Sequence, residues 1–285
     1  MSEPRIHEPV GALGRHVLTR IGAHHGEDGC VEGLHMHLGP TLFDPDGFVT
    51  FGVLGAFLDL CSSEPDGIFI GRPFVHGDMG VHRLARPQGD VLRARTTAAR
   101  IGGRTAVVEA ELLDDDGARV AYGSQQLVFM GPPVREAPRG DASFHRAFLS
   151  LFRGEVTLSG PLHGVLGIEQ VAGPGGGPAW RMPHADLSRN GFGGLHGGVT
   201  TALVDAAATG LVAASASASA GADGRAARTV STALRYLEPG LKGPFRADPT
   251  IVGLADGEAL VRVPLVDEGA DDLLIVLAEA RVRLG

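Results

Sequence analysis

The 285-residue chain contains few of the residues that mark specialised classes of protein. Two cysteines, Cys30 and Cys61, are too few for a disulfide framework. Lys242 is the only lysine, and the net charge of −8 gives no electrostatic case for binding nucleic acid or an anionic membrane. No apolar run approaches the ~20 residues of a membrane helix, and the N-terminus lacks an apolar signal core. We therefore expect a cytoplasmic protein without membrane insertion.

An internal repeat organises the rest of the chain. The segment 44–59 matches the segment 190–205 at a constant offset of 146 residues. A repeat of this length indicates one structural unit that is used twice. The matched pairs are Gly47 with Gly193, Gly52 with Gly198, Val53 with Val199, Ala56 with Ala202 and Asp59 with Asp205.

The same elements follow each repeated segment. Three runs rich in Val, Leu and Thr come after each copy, and the acidic turns 114–117 and 267–269 separate the last two runs of each set. This order predicts one central helix followed by an antiparallel meander in each copy. The small, polar segment 215–224 is expected to be a surface loop. The predicted strands are 91–100, 105–113 and 119–130, then 245–254, 258–266 and 272–284.

The second copy carries a recognisable signature. Asn190, then His196-Gly197-Gly198, then Asp205 resemble in type and spacing the motif of hotdog-fold acyl-CoA thioesterases of the PaaI-like type. The resemblance covers residues 185–285 well, and the first half only as a diverged copy. It implies an α+β chain of two tandem hotdog domains, 1–135 and 141–285, which form a pseudo-dimer. It also implies hydrolysis of an acyl-CoA to the free acid and CoA, with no cofactor beyond the CoA of the substrate.

The start of the helix in the second copy suits the chemistry of an oxyanion. The first N–H groups of a helix have no internal acceptors and carry the positive end of its dipole. Such groups at Gly197 and Gly198 would polarise a thioester carbonyl and hold the negative charge that develops on it. The simpler alternative is that the two glycines only permit a tight turn.

Helix geometry predicts that each site is shared between the copies. Asp205 lies seven residues past Gly198, so the two are ~10 Å apart along one helix at 1.5 Å per residue. An aspartate side chain is too short to cover that distance, so the acid of one copy should meet the helix N-terminus of the other. Site A then combines Asn190, His196 and Gly197 with Asp59, and site B combines Asp44, Thr50 and Phe51 with Asp205.

The two sites are predicted to be unequal. By the resemblance, Asp59 acts as nucleophile or general base, Asn190 orients the water or the thioester, and His196 orders the loop or polarises the carbonyl. Ser63 is a further candidate for orienting water. In site B, which also holds Thr209 and Thr229, Asp44 would place a negative charge near the developing oxyanion. Site B is therefore expected to be degenerate.

Several alternatives stay open at this point. His35 and His37 would share one face of a strand, as in the start of a cupin metal motif, but the expected glutamate is missing, and no metal is expected. Arg235, Lys242 and Arg246 are candidates for binding CoA phosphates. The rival functions are an enoyl-thioester hydratase of the same fold and a non-catalytic acyl-CoA or lipid-binding protein. The thiol carrier and a homodimeric state are undetermined.

Overall fold

The computed structural model describes residues 16–25, 33–63, 73–131, 150–220 and 226–285. Within these residues, thirteen strands form one antiparallel sheet in the order β1-β2-β4-β5-β6-β3-β9-β13-β12-β10-β8-β7, with β11 paired to β12. The strands are β1 Ala23–His25, β2 Leu34–His37, β3 Phe74–Arg83, β4 Val91–Ile101, β5 Thr105–Leu113, β6 Arg119–Phe129, β7 Glu169–Ala172, β8 Pro178–Met182, β9 Ala227–Tyr236, β10 Phe245–Ala247, β11 Thr250–Ala255, β12 Glu258–Asp267 and β13 Leu273–Leu284.

The sheet repeats about its centre. The first strand after each repeated segment, β3 or β9, lies in the middle, and these two strands pair antiparallel with Gly80 opposite Ala233 and Val81 opposite Thr232. On either side β6 corresponds to β13, β5 to β12, β2 to β8 and β1 to β7. Each copy thus contains the predicted meander, although the strand predicted at 245–254 is two strands, β10 and β11, which both pair with β12. The chain folds as two tandem hotdog domains that share one sheet.

Two helices pack against each other inside this sheet. They are α1, Phe51–Cys61, and α3, Gly197–Ala220; a single turn, α2, covers Leu162–Val165. Every residue of α1 is buried. A Cβ added at Gly52 would come within 2.6 Å of the Ala202 Cβ, and one added at Gly198 within 2.9 Å of the Ala56 Cα. The helices therefore run antiparallel, and small residues let their backbones approach closely.

Two expectations about α3 are wrong: the surface loop at 215–224, and the lack of an apolar run as long as a membrane helix. The helix continues into the segment predicted to be a loop, as far as Ala220, because the alternating Ala and Ser residues are compatible with helix. Its segment Gly197–Ser217 is also long and apolar enough to cross a membrane by length and composition, with a mean hydropathy of 1.4. Half of that segment is buried inside the fold, and a core helix meets the same criteria. Residues 221–224 of the expected loop lie outside the described residues.

A short helical turn precedes the first strand of each copy. In the first copy it is the 3₁₀ turn Val17–Arg20, and in the second it is α2. Each turn is followed by a glycine with positive φ, Gly22 at 81° and Gly167 at 68°. The first turn also contacts the second copy, since the Val17 N–H donates to the Leu187 carbonyl. Residues 132–149, where the two domains were predicted to join, lie outside the described residues.

Candidate active site

Asp59 lies where α1 meets the beginning of α3. Its side chain is 8% exposed, and its Oδ2 accepts a hydrogen bond from the backbone N–H of Gly198. The antiparallel packing of the helices brings these two residues together from different copies. The carboxylate thus lies at the N-terminal end of a helix, where the dipole stabilises negative charge.

Two histidines face the same carboxylate oxygen. The Nδ1 atom of His196 lies 3.5 Å from Asp59 Oδ2, and the Nδ1 atom of His76 lies 3.8 Å from it. Burial lowers the pKa of His196, with His76 adding to this effect and the negative charge of Asp59 opposing it. His196 is therefore expected to be neutral at neutral pH.

The tautomer of His76 is fixed by a glutamine from β6. The Gln125 Nε2 donates to the Leu58 carbonyl at 2.6 Å, which turns the Oε1 atom toward His76. This oxygen lies 2.7 Å from His76 Nε2 and can only accept, so the imidazole proton is on Nε2. The lone pair of Nδ1 in neutral His76 then faces Asp59.

Three polar groups lie close to Gly197. A Cβ added there would lie 2.9 Å from Asp59 Oδ2, 3.0 Å from His76 Nδ1 and 3.4 Å from the Tyr236 hydroxyl oxygen. The Tyr236 hydroxyl donates to the Gly197 carbonyl at 2.9 Å. Burial and the nearby Asp59 carboxylate raise the pKa of Tyr236 well above its ordinary value, so the phenol stays protonated. Because glycine has no Cβ, these three hydrogen-bonding groups can approach the first residue of α3 this closely.

Two residues assigned to site A from the sequence make local contacts instead. Asn190 Oδ1 accepts from the N–H groups of Phe192 and Gly194, and its Nδ2 donates to the Leu195 carbonyl. The side chain thus holds the loop that leads to His196. The Ser63 hydroxyl donates to the Leu60 carbonyl at 2.8 Å, one turn back in the chain.

Asp44 has the same place in the first copy as Asn190 has in the second. Its Oδ1 accepts from the N–H groups of Asp46 and Phe48, which are the counterparts of Phe192 and Gly194. Its Oδ2 accepts from Arg83 Nη1 at 3.0 Å. An arginine from β3 therefore offsets part of the negative charge of Asp44.

Site B is filled by that arginine and by Phe51. The Arg83 side chain is 4% exposed, and its guanidinium lies 5.5 Å from the centroid of the Phe51 ring. Burial raises the pKa of Asp205, while the positive charge of Arg83 opposes this shift. The remaining residues assigned to site B make backbone contacts: Thr50 donates its N–H to Leu42, and Thr209 its hydroxyl to the Asp205 carbonyl.

The three cations proposed for CoA phosphates are not equivalent. The Arg246 side chain is 9% exposed and pairs with Asp248, Glu268 and Asp272, so its charge is already compensated. Arg235 and Lys242 are exposed at the surface. Lys242 lies in a loop whose N–H groups donate to Asp267.

Four residues of site A were not identified from the sequence. His76, Gln125 and Tyr236 are on three different strands, and His16 packs its ring on His196 at 4.5 Å between centroids. Gln125 carried a detectable signal, since it is an uncharged polar residue at an inward position of an alternating strand. Among the described residues, no group of three His, Cys, Asp or Glu side chains is placed to hold a metal ion.

Comparison with known proteins supports the fold. No family model and no curated protein matches the chain. Among solved structures it is similar to an acyl-CoA thioesterase II, TesB2, from Mycobacterium marinum, with 11% identity, a TM-score of 0.57 and coverage of 94% of this chain and 98% of that one. A 12:0-ACP thioesterase from Umbellularia californica is 13% identical, with a TM-score of 0.57 and coverage of 88% of this chain and 93% of that one. A protein with a hot dog fold from Alicyclobacillus acidocaldarius is 12% identical, with a TM-score of 0.58 and coverage of 95% of this chain and 98% of that one. Over nearly its whole length, this chain therefore has the architecture of tandem hotdog proteins.

Proposed function

We propose that the protein is a thioesterase that hydrolyses an acyl-CoA at site A. One observation carries this proposal: Asp59, His76 and Tyr236 converge on Gly197, at the beginning of a helix. The arrangement offers a carboxylate to activate a water molecule and a helix N-terminus to hold an oxyanion, which are the two requirements for hydrolysis of a thioester. The solved thioesterases of similar fold support the same assignment.

Asp59 is the group that activates the water in this proposal. The contacts with Gly198, His76 and His196 all involve Oδ2. Oδ1 is then the oxygen that takes a proton as the water oxygen attacks the thioester carbonyl carbon. A direct attack by the carboxylate, which gives an anhydride that water then hydrolyses, uses the same oxygen.

His76 and Gln125 orient the same water. The acceptor at His76 Nδ1 and the carboxylate of Asp59 can each take one hydrogen bond from it, which points a lone pair of the water oxygen at the substrate. Gln125 maintains this acceptor because it holds the imidazole proton on Nε2. The alternative tautomer would present a donor to the water.

The carbonyl oxygen binds at the first turn of α3. The N–H of Gly198 is already donated to Asp59, so the N–H of Gly197 is the donor for the oxyanion. When the tetrahedral intermediate collapses, the C–S bond breaks, the acid leaves with the water oxygen, and the proton held by Asp59 passes to the thiolate. Neutral His196 lies beside this path and keeps the carboxylate free of a full ion pair.

The spacing of Asn190, His196-Gly197-Gly198 and Asp205 supports a PaaI-like subtype. The similar structures include enzymes named for CoA and for ACP substrates, and exposed Arg235 and Lys242 are candidates for contacting the phosphates of either carrier. Arg83 and Phe51 occupy the second site, which supports a single working centre.

A panel of acyl thioesters tests the proposal. Release of free thiol from acyl-CoA and acyl-ACP substrates is followed with a thiol-detecting reagent, and the products are identified by mass spectrometry. Free CoA with free acid supports the thioesterase. A hydrated thioester would identify the enoyl-thioester hydratase, and saturable binding without product would identify an acyl-CoA-binding protein.

A further inference from the structure

His16 is a buried histidine that belongs to neither repeated segment. It is 0% exposed and stands at the N-terminal end of the Val17–Arg20 turn. Its Nδ1 accepts the N–H of Leu18 at 3.1 Å, so the imidazole proton is on Nε2. The neighbouring Val17 N–H donates to Leu187, which fixes this turn on the second copy.

The His16 ring packs against His196. The ring centroids are 4.5 Å apart and the planes are inclined by 44°. His196 itself has its Nδ1 3.5 Å from Asp59 Oδ2. The three side chains thus form a row of successive contacts, from His16 through His196 to the carboxylate.

The second copy provides an internal comparison. The turn Leu162–Val165 begins at Pro161, with φ −55° and ψ 142°, and the turn Val17–Arg20 begins at His16, with φ −68° and ψ 148°. Pro161 is exposed and makes no side-chain cap. The turn therefore forms without a histidine, and the feature that distinguishes His16 is its contact with His196.

We propose that His16 is a positioning residue of site A, whose ring keeps His196 oriented toward Asp59 and shielded from water. This inference rests on the proposed thioesterase function. His16 acts through His196 and does not touch the reacting atoms. The role explains why a buried imidazole from the N-terminal segment lies beside the start of α3 in the second copy.

The electrostatics of the row agree with this role. Asp59, His76 and His16 face His196, and Tyr236 contacts the adjacent Gly197. Burial lowers the pKa of His16 well below its ordinary value, and His196 adds to this effect. Burial also lowers the pKa of His196. Removing the His16 ring would admit water to His196, so the pKa of His196 would rise toward the ordinary value of about 6.5.

Two substitutions distinguish the packing of the His16 ring on His196 from the hydrogen bond that its Nδ1 accepts from Leu18 at the start of the turn. Asn at position 16 keeps an acceptor for the Leu18 N–H but removes the ring, whereas Phe keeps a ring but removes the acceptor. For H16N we expect kcat to fall about tenfold with KM little changed, since a small misplacement near the reacting groups costs rate. The acid limb of the pH profile should move to higher pH in H16N and keep its position in H16F.

Nitrogen-15 NMR of the histidine side chains gives a readout that is independent of turnover. The His196 titration should move to higher pH in H16N and not in H16F. H16L, which also lacks the ring, replaces H16N if the latter fails to fold. P161A is the matched control in the second copy and should leave both the titration and the rates unchanged. The opposite result, with H16F impaired and H16N normal, would mean that His16 acts only as the acceptor for the Leu18 N–H, and it would overturn the inference.

Failure of the inference and failure of the proposed function are distinguishable. If no thioester is hydrolysed by the native protein while the His196 titration moves in H16N, the function is wrong and the contact stands. If hydrolysis occurs and the titration is the same in all variants, the positioning role is wrong and the thioesterase stands.

Discussion

The Asp59 carboxylate accepts a hydrogen bond from the backbone N–H of Gly198, a residue of the other copy 139 positions later. This contact joins the acid of one repeat to the helix N-terminus of the other. The corresponding acid of the second copy, Asp205, lies near Arg83 instead. The twofold arrangement of the backbone therefore carries two chemically different sites, and this difference can be tested.

The first prediction is that Asp59 matters far more than Asp205. D59N removes the proton acceptor with little change in shape, so kcat should fall by ~10² or more. D205N should lose little activity, because its site is filled by Arg83 and Phe51. Steady-state rates of both variants, with circular dichroism to verify folding, measure this. Equal losses would mean two working sites, and a loss in D205N alone would mean that the assignment is reversed.

The second prediction concerns the close approach of Asp59 and His76 to Gly197. A methyl group in G197A would lie 2.9 Å from Asp59 Oδ2 and 3.0 Å from His76 Nδ1, so both side chains must move, and kcat should fall by about 10²-fold. The fold should be retained, since alanine favours helix and the nearest atom is the end of a side chain. G164A is the control, because a Cβ there meets nothing within 4 Å. Native-like turnover of G197A would show that the close approach of these side chains to Gly197 is not needed for catalysis.

The third prediction is that His196 and Asp59 act as one unit. H196A should reduce turnover, and the double variant with D59N should be hardly slower than D59N alone, because both residues contribute to one composite site. A double-mutant cycle on kcat/KM gives the interaction directly. Losses that simply multiply would indicate two independent contributions.

The fourth prediction concerns Gln125. In Q125L the proton of His76 is no longer held on Nε2, so the acceptor at Nδ1 is lost part of the time and kcat should fall about tenfold. The nitrogen-15 shifts of His76 should show a mixture of tautomers. A matched control is Q126L, a neighbouring change on the same strand that leaves the His76 contact intact. A pure Nε2–H tautomer in Q125L would contradict the role of the glutamine.

The fifth prediction is that stability falls below about pH 6.5. The pKa values of His16 and His196 are lowered in the fold by burial, so between the folded and the ordinary values only the unfolded chain binds the protons. Stability contributed by each group is complete above pH 6.5 and decreases by up to about 1.4 kcal/mol per pH unit below it. Urea unfolding at pH 7.5 and 5.5 measures this decrease. H16F, which lacks one of the two groups, should lose less stability over the same interval, and equal losses would contradict the assignment to His16.

The repeat, the central helices, the antiparallel meander of each copy and the difference between the two helix N-termini could all be predicted from the sequence alone. These features depend on local patterns: alternating apolar residues, glycines before a helix, and acidic turns at matching positions. The beginning of α3 also followed from glycine spacing, but its end did not, because Ala and Ser are compatible with helix as well as with loop.

The tertiary structure alone decided which side chains meet at Asp59. His16, His76, Gln125 and Tyr236 come from one turn and three strands that are far apart in sequence, and none belongs to a motif with fixed spacing. Only the antiparallel helix pair and the pairing of β3 with β9 bring them together. The same packing placed Arg83 beside Asp44 and turned Asn190 into a loop support, because a side chain bonds to whatever donor or acceptor the fold brings within reach.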